Sequence, residues 1–359
     1  MKLVVTGGAG FIGSNFVQRA LAAHPDWNLL VIDKLTYAGN LKNLESALAC
    51  SRCEFAQEDI CAPSMADRLR GCDAVVHFAA ESHVDRSIED AAAFVRTNVD
   101  GTYNLIQASR QAAVPRFVHV STDEVYGSLG DEGEFTEASP IQPNSPYAAT
   151  KAASDLLVLA YVRTHGFPAV VTRCSNNYGP YQFPEKFIPL MIAQALAGQR
   201  LPVYGKGANV RDWIHVSDHC DALDVVLQTG REGEVYNIGG GREMRNLDVA
   251  RLILGALGQP ESLIEFVKDR PGHDLRYALN CDKLSQETGW SAKISFENGL
   301  SATIEWYRKN QPWLDDVRSG AYREYFDRHY VRRENTFAGP ADSRASAQKE
   351  KDGGQPSSP

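Results

Sequence analysis

Tyr147-Ala-Ala-Thr-Lys151 sets a phenol and an ammonium four residues apart, on one face of a helix entered after Pro143-Asn144-Ser145-Pro146. A positive lysine favours the tyrosinate, and a tyrosinate can take the proton from an alcohol that is being oxidised. The same spacing also arises by chance on ordinary helices. A second group, Ser121-Thr122-Asp123-Glu124-Val125-Tyr126-Gly127, follows an apolar strand pattern. Its Thr122 hydroxyl can bond an alcohol or a phenolate. Asp123 and Glu124 can divide acid and base work if their surroundings separate their pKa values. Without such surroundings they are a solvated acidic turn.

An oxidised alcohol needs an acceptor, and the amino terminus offers a place for one. Gly7-Gly-Ala-Gly10-Phe11-Ile12-Gly13 follows a strand pattern and opens a helix pattern. Gly7 would permit the turn, Gly10 would let the backbone approach a pyrophosphate, and Gly13 would let the helix sit close to the sheet. The phosphates would then lie against unpaired N–H groups at the positive end of the helix. Asp33 ends the second strand pattern twenty positions after Gly13, where a carboxylate accepts bonds from an adenosine ribose. It would repel a 2'-phosphate, so NAD is expected rather than NADP, with Lys34 the residue that could soften the preference. Helix packing at the glycines and a plain acidic strand end remain the alternatives. Asp59-Ile60 and Phe78-Ala79-Ala80 fall near later strand ends, where they serve either the dinucleotide or loop and core packing.

These groups need a frame. Leu3-Val4-Val5, Leu29 to Ile32, Ala74 to Phe78, Phe117 to Val120, Ala169 to Thr172 and Val235 to Ile238 read as strands, mostly separated by helical patterns. That alternation predicts an α/β fold: a Rossmann-type doubly wound parallel sheet with a smaller, sequence-interleaved substrate-binding lobe. Residues 1–178 are expected to form mainly the dinucleotide domain and 179–330 mainly the second lobe, with segments near 210–240 returning to the first. Residues 331–359 read as a disordered extension, because Ala341 to Pro359 has no apolar residue larger than alanine.

At 359 residues and 43% hydrophobic, the chain can bury a large core, and its net charge of -8 gives no global attraction to nucleic acid. Seven cysteines form no paired framework, and Cys50-Ser-Arg-Cys53 lacks the second pair or histidines of a metal site, so no metal is expected. Met1-Lys2 runs straight into the first strand and no apolar run could cross a bilayer. A cytoplasmic enzyme without membrane partners is the expectation.

From Met1 to about Tyr330 the chain resembles the dTDP-glucose 4,6-dehydratases of the extended short-chain dehydrogenase/reductase superfamily. The resemblance rests on Thr6 to Gly13, Asp33-Lys-Leu-Thr-Tyr-Ala-Gly-Asn40, Ala80-Glu-Ser-His-Val-Asp-Arg-Ser87, Ser121 to Gly127, Cys174-Ser-Asn-Asn-Tyr-Gly-Pro-Tyr-Gln-Phe-Pro-Glu-Lys186, Arg211-Asp-Trp213 and Arg270-Pro-Gly-His-Asp274. It implies C4 oxidation of dTDP-glucose by Tyr147 and NAD, C5 deprotonation by Glu124, protonation of the departing 6-OH by Asp123, and return of the hydride to C6. It implies Phe11, Ile12, Lys34, Leu35, Thr36, Asp59, Ile60, Phe78, Ala79, Ala80, Ser82, Thr97, Lys151 and Asn177 on the cofactor. On the nucleotide sugar it implies Ser82, His83, Thr122, Asn176, Glu185, Lys186, Phe187, Pro202, Tyr204, Arg211, Asn246, Arg270 and His273. A homodimer joined through helices, including the one that begins near Tyr147, also follows from it. Arg173, where the family often carries asparagine, and His215, where tyrosine is common, depart from the pattern. An epimerase or decarboxylase on the same scaffold, and a nucleotide-binding protein without turnover, are the competing readings; Asp123, Glu124 and the retained Tyr147 and Lys151 argue against both.

Overall fold

The computed structural model describes residues 1–319. Its main sheet is built from β1 (Lys2–Thr6), β2 (Asn28–Asp33), β3 (Cys53–Gln57), β4 (Ala74–His77), β5 (Phe117–Thr122), β6 (Ala169–Cys174) and a later strand, Val235–Ile238. The order across the sheet is Val235–Ile238, β6, β5, β4, β1, β2, β3, and every pairing is parallel. β5 and β6 are buried at every position, as a sheet covered on both faces requires. β3 carries no apolar run and sits at the sheet edge, so hydrophobic patterning did not mark it. Cys50 to Cys53 is the turn that enters this strand, and all seven cysteines are free thiols.

One face of the sheet packs Phe16, Val17 and Leu21 from the helix Phe11–Ala23 against Cys220, Leu223 and Val226 from Val216–Thr229. The other packs Leu105 and Ile106 of Thr102–Gln111 and Val158 of Pro146–His165. Leu284 and Trp290 also join the first face, a return of the chain that the sequence did not signal. Strand order reverses between β1 and β4, and the chain leaves both at the same edge, with Thr6 paired to His77. A crevice opens where the two crossovers diverge, outside the carboxyl ends of the strands.

Beyond β6 the chain enters β7 (Asn176–Tyr178), then β8 (Leu201–Tyr204) and β9 (Val210–His215); counting Val235–Ile238 as β10, the last strands are β11 (Glu243–Arg245) and β12 (Ile264–Val267). β7, β9 and β11 form a small sheet, and β8 pairs with β12. A separate core of Met191, Ile192, Leu201, Val203, Ile253 and Tyr307 holds this region together. Arg173 points away from the Asn176 segment: its Nε donates to Asp155 at 2.8 Å and its guanidinium covers the Tyr126 ring. His215 caps Val216–Thr229 by accepting from Ser217 N–H and packs edge-on to Tyr178. The proposed boundary at 330 and the segment 331–359 lie outside the described residues.

Candidate active site

At the crevice, Gly7 has φ +71, and a Cβ there would lie 2.5 Å from the Ala79 nitrogen. Only glycine avoids both penalties. A Cβ on Gly13 would lie 2.4 Å from the Gly7 oxygen and 2.8 Å from the Gly8 Cα. Gly13 therefore packs the helix onto the glycine loop itself, while Gly8 is the residue pressed against Val31 of β2. Around Gly10 the space is open except for the Gly7 oxygen at 3.3 Å. The helix Phe11–Ala23 has no side-chain cap and no acid in its first turn, which leaves its positive end free for an anion.

Asp33 accepts bonds from Ala9 N–H at 3.0 Å and Leu35 N–H at 2.8 Å, and burial raises its pKa. Leu35, at φ 57, serves Asp33 through its backbone and does not line the cavity. Lys34 is engaged by Asp59 at 2.8 Å, so its charge is already answered by a carboxylate. A 2'-phosphate would have to compete with Asp59 for Lys34.

The same cavity continues past Phe78, Ala79, Ala80, Ser82 and Thr97 to the redox groups. Ser145 caps the helix Pro146–His165 by accepting from Ala148 N–H, Pro146 fills its first turn, and Gly166 ends it in the left-handed conformation. These signals fix the start of the helix, a cap of this kind contributing about 1 kcal/mol. Tyr147 and Lys151 thus share its inner face, both buried. Asn98 braces them: its amide donates to Glu81 O and Thr150 Oγ1.

Lys151 Nζ donates to Val120 O at 2.9 Å, and burial lowers its pKa to about 8. The phenol of Tyr147 is pushed well above its usual range, by burial first and then by the Glu124 charge, with a Thr122 hydrogen bond opposing. Lys151 is not among the groups that set this shift.

Thr122 closes β5 opposite Cys174, and its hydroxyl caps the short turn Asp123–Tyr126. Asp123 is 2% exposed, and its pKa is raised by burial, by Glu124 and by Asp212. Glu124 is also raised by burial, but Arg270, Lys186 and Arg211 pull it down. Arg211 acts on both carboxyls, so the difference between them is that Asp123 has Asp212 beside it while Glu124 has Arg270 and Lys186, with Asp274 opposing.

A raised Asp123 has a stability consequence. Between the ordinary carboxylate pKa near ~4 and its raised folded value, the folded state holds a proton that the unfolded state has lost, so stability falls as pH rises through that window. Asp123→Asn is expected to raise the melting temperature by about 2–4 °C at neutral pH while abolishing turnover. The gain should vanish below pH ~4; a melting curve with no gain at any pH overturns this account of Asp123.

Asn176, Asn177, Glu185 and Lys186 complete the cavity lining. Asn177 is held by Ser175 O and His219, whereas Asn176 Oδ1 and Asp123 Oδ2 are buried without hydrogen-bond partners. Such orphans in a cavity are acceptors and donors awaiting a polar ligand. Tyr204, Arg211, Arg270 and His273 lie outside this lining and gather beside it. Tyr204 and Arg270 meet at Asp85, His273 packs edge-on to Tyr204, and Arg211 donates to Asp274 O over the Tyr277 ring. Asn246 Oδ1 and Arg270 Nε are buried orphans there too.

His83 and Pro202 stand outside the lining as well, and Phe187 stacks on Trp213 within the second core. Burial holds His83 near pKa 4, so it is neutral. Glu81, Ser121, Cys174, Ser175, Gln182 and Phe183 line the cavity without having been singled out. All of them lie inside or beside the quoted motifs, and that was the only signal for them. Among the described residues, no three His, Cys, Asp or Glu side chains gather as a metal ion requires, and no helix is long and apolar enough to cross a membrane.

The family profile described as GDP-mannose 4,6 dehydratase matches residues 4–303. A dTDP-glucose 4,6-dehydratase of Streptomyces niveus is 52% identical over 324 residues, covering 89% of this chain and 96% of that protein. The chain belongs to the dTDP-glucose 4,6-dehydratase family. A crystal structure of the family from Streptomyces venezuelae, with NAD and dTDP bound, superposes with a TM-score of 0.87 at 53% identity, covering 88% of this chain and all of that one. A UDP-glucuronic acid 4-epimerase from Bacillus cereus, solved with UDP-glucuronic acid and NAD, reaches 0.82 at 30% identity, over 86% of this chain and 99% of that one. The epimerase therefore shares the family's scaffold, and the choice between the two reactions falls to side chains.

Proposed function

We propose that this family member converts dTDP-glucose to dTDP-4-keto-6-deoxyglucose and water, with NAD as a retained cofactor. The observation that carries it is the Asp123–Glu124 pair, two buried carboxyls with different charged neighbours beside Tyr147. An epimerase has no use for both. Gly7, Gly10, Gly13, Asp33, Lys151 and Asn177 would hold NAD, whose chemistry is to accept the C4 hydrogen with its electron pair and to give it back at C6, while C5 regains a proton.

Tyr147 removes the 4-OH proton, with Thr122 bonding the phenol or the sugar hydroxyl. Oxidation at C4 makes the C5 proton acidic, and Glu124, kept more ionisable by Arg270, Lys186 and Arg211, takes it. Asp123, kept protonated by burial, gives its proton to the departing 6-OH. Arg211 and Arg270 suit a diphosphate, since guanidinium forks stay charged and bond in plane, and Lys186 would add a point charge. Tyr204 and Asn246 would serve the nucleoside.

Purified protein given dTDP-glucose without added NAD should form the 4-keto-6-deoxy product, read by mass spectrometry as loss of water. A C4 epimer of unchanged mass would support the competing reaction, and no product from any nucleotide sugar would remove both.

We also infer a cytoplasmic homodimer. Val95, Tyr103 and Leu156 are 46%, 47% and 54% exposed on the turn Val95–Gly101 and on the helices Thr102–Gln111 and Pro146–His165. Exposed apolar side chains of that size on neighbouring helices support a covered face. Sedimentation should return the mass of two chains; a monomer at micromolar concentration overturns the inference.

A further inference from the structure

The segment 82–86 touches both halves of the site. Ser82 O accepts from Lys186 Nζ at 2.6 Å, and His83 Nε2 lies 3.4 Å from Glu185 O. Asp85 accepts from Tyr204 Oη at 2.6 Å and from Arg270 at 3.3 Å, while Arg86 Nε donates to Glu185 Oε2 at 3.1 Å. The other oxygen of Glu185 accepts from Tyr37 Oη at 2.7 Å, and the Arg86 guanidinium lies 4.0 Å from the Tyr37 ring centroid. Phe183 closes against Tyr37 edge-on, at 5.6 Å. Glu185, expected on the path to the diphosphate, thus spends its carboxylate on tying chain segments together; its side chain is 1% exposed.

Each partner comes from a different segment of chain. Tyr37 stands four residues after Asp33, in the loop whose Thr36, Ala38 and Gly39 line the cavity. Glu185 and Lys186 line it too, and Arg86 comes from the short helix Val84–Glu89, outside the lining. A carboxylate this buried cannot lose one partner cheaply, because the charge is then left uncompensated. The three segments are therefore tied to one another at Glu185.

We propose that Tyr37, Glu185 and Arg86 form a latch that couples nucleotide occupancy of the second lobe to retention of the dinucleotide. The inference rests on the function proposed above. A diphosphate that orders Lys186 and Arg270 also orders Ser82, Asp85 and Glu185, which those two residues touch directly or through the chain. The ordered latch then holds the Tyr37 loop over the dinucleotide. Such linkage is reciprocal: whatever dTDP does to NAD affinity, NAD must do to dTDP affinity. The three are positioning residues, and they serve a reaction that fails if NADH leaves between its two uses.

The test measures NAD loss from the full-length protein on dilution, with and without dTDP, which has no hexose to react. In the parent, dTDP is expected to slow NAD loss about tenfold, within the usual range of coupling. In Tyr37→Phe, NAD should leave faster and dTDP protection should shrink to less than about twofold. Glu185→Gln keeps an acceptor for Tyr37 but loses the ion pair with Arg86, and should fall between. During turnover both variants should release NADH and unfinished 4-keto sugar, and added NAD should restore their rate. If Tyr37→Phe does not fold, Glu185→Gln decides by the same measurement. Parental protein that binds no NAD removes the proposed function and the latch with it. Bound NAD whose loss is indifferent to dTDP, or variants that keep NAD and dTDP protection as the parent does, overturn the latch alone.

Discussion

Tyr147→Phe is expected to lower the rate of the first oxidation by about 10²–10⁴-fold, the usual contribution of a positioned acid or base. That range corresponds to about 3–5 kcal/mol of barrier. The phenol is buried at the start of the helix Pro146–His165, and its ring packs edge-on to Phe94, so phenylalanine keeps the shape and loses only the oxygen. Binding of dTDP should be nearly unchanged, since its expected contacts lie around Arg211 and Arg270. Burst-phase NADH absorbance on mixing with dTDP-glucose is the measurement. A normal burst in this variant would show that another group takes the 4-OH proton, and Lys151, with a pKa of about 8, would be the next to test.

Glu124→Gln should separate the two halves of the reaction. Oxidation at C4 should proceed, bound NADH should accumulate, and dehydration should fall by about 10²–10⁴-fold because the C5 proton has lost its base. Solvent deuterium should stop entering C5. The cations that favour ionised Glu124, namely Arg270, Lys186 and Arg211, also belong to the expected diphosphate contacts, so this variant should bind dTDP somewhat more tightly once that charge competition is gone. Parental dehydration with full deuterium entry would falsify the assignment of Glu124. The contrast with Tyr147→Phe makes the pair informative: one variant never forms NADH, and the other forms it and cannot use it.

Much of the site was legible in the chain because its parts are local. Gly7 to Gly13 needs only a strand, a turn and a helix in succession, and Tyr147 and Lys151 need only one helical turn. Ser145, Pro146 and Gly166 announce where that helix starts and stops. The edge strand β3 escaped because patterning detects burial and its residues have little, unlike Val235–Ile238 at the opposite edge. The packing of Leu284 and Trp290 on the main sheet escaped for the complementary reason: an apolar residue records that it is buried, not against what.

The family resemblance supplied residues in the second lobe, and the structure adds contacts the chain did not announce. Glu185 binds Tyr37 and Arg86, and Phe187 packs on Trp213; in the main sheet, Arg173 turns to Asp155. None of these partners is near in sequence, and side-chain direction on a strand or loop follows from what packs beside it.

The glycine loop and the paired carboxyls could be read from the chain, because each depends on residues within one or two turns of it. The surroundings of the two carboxyls could not. Burial raises both, and the other influences come from groups brought from elsewhere: Asp212 beside Asp123, Arg270 and Lys186 facing Glu124, and Arg211 acting on both. Electrostatic fields add over space, not along the chain, so the surroundings on which a division between acid and base depends are set by the fold.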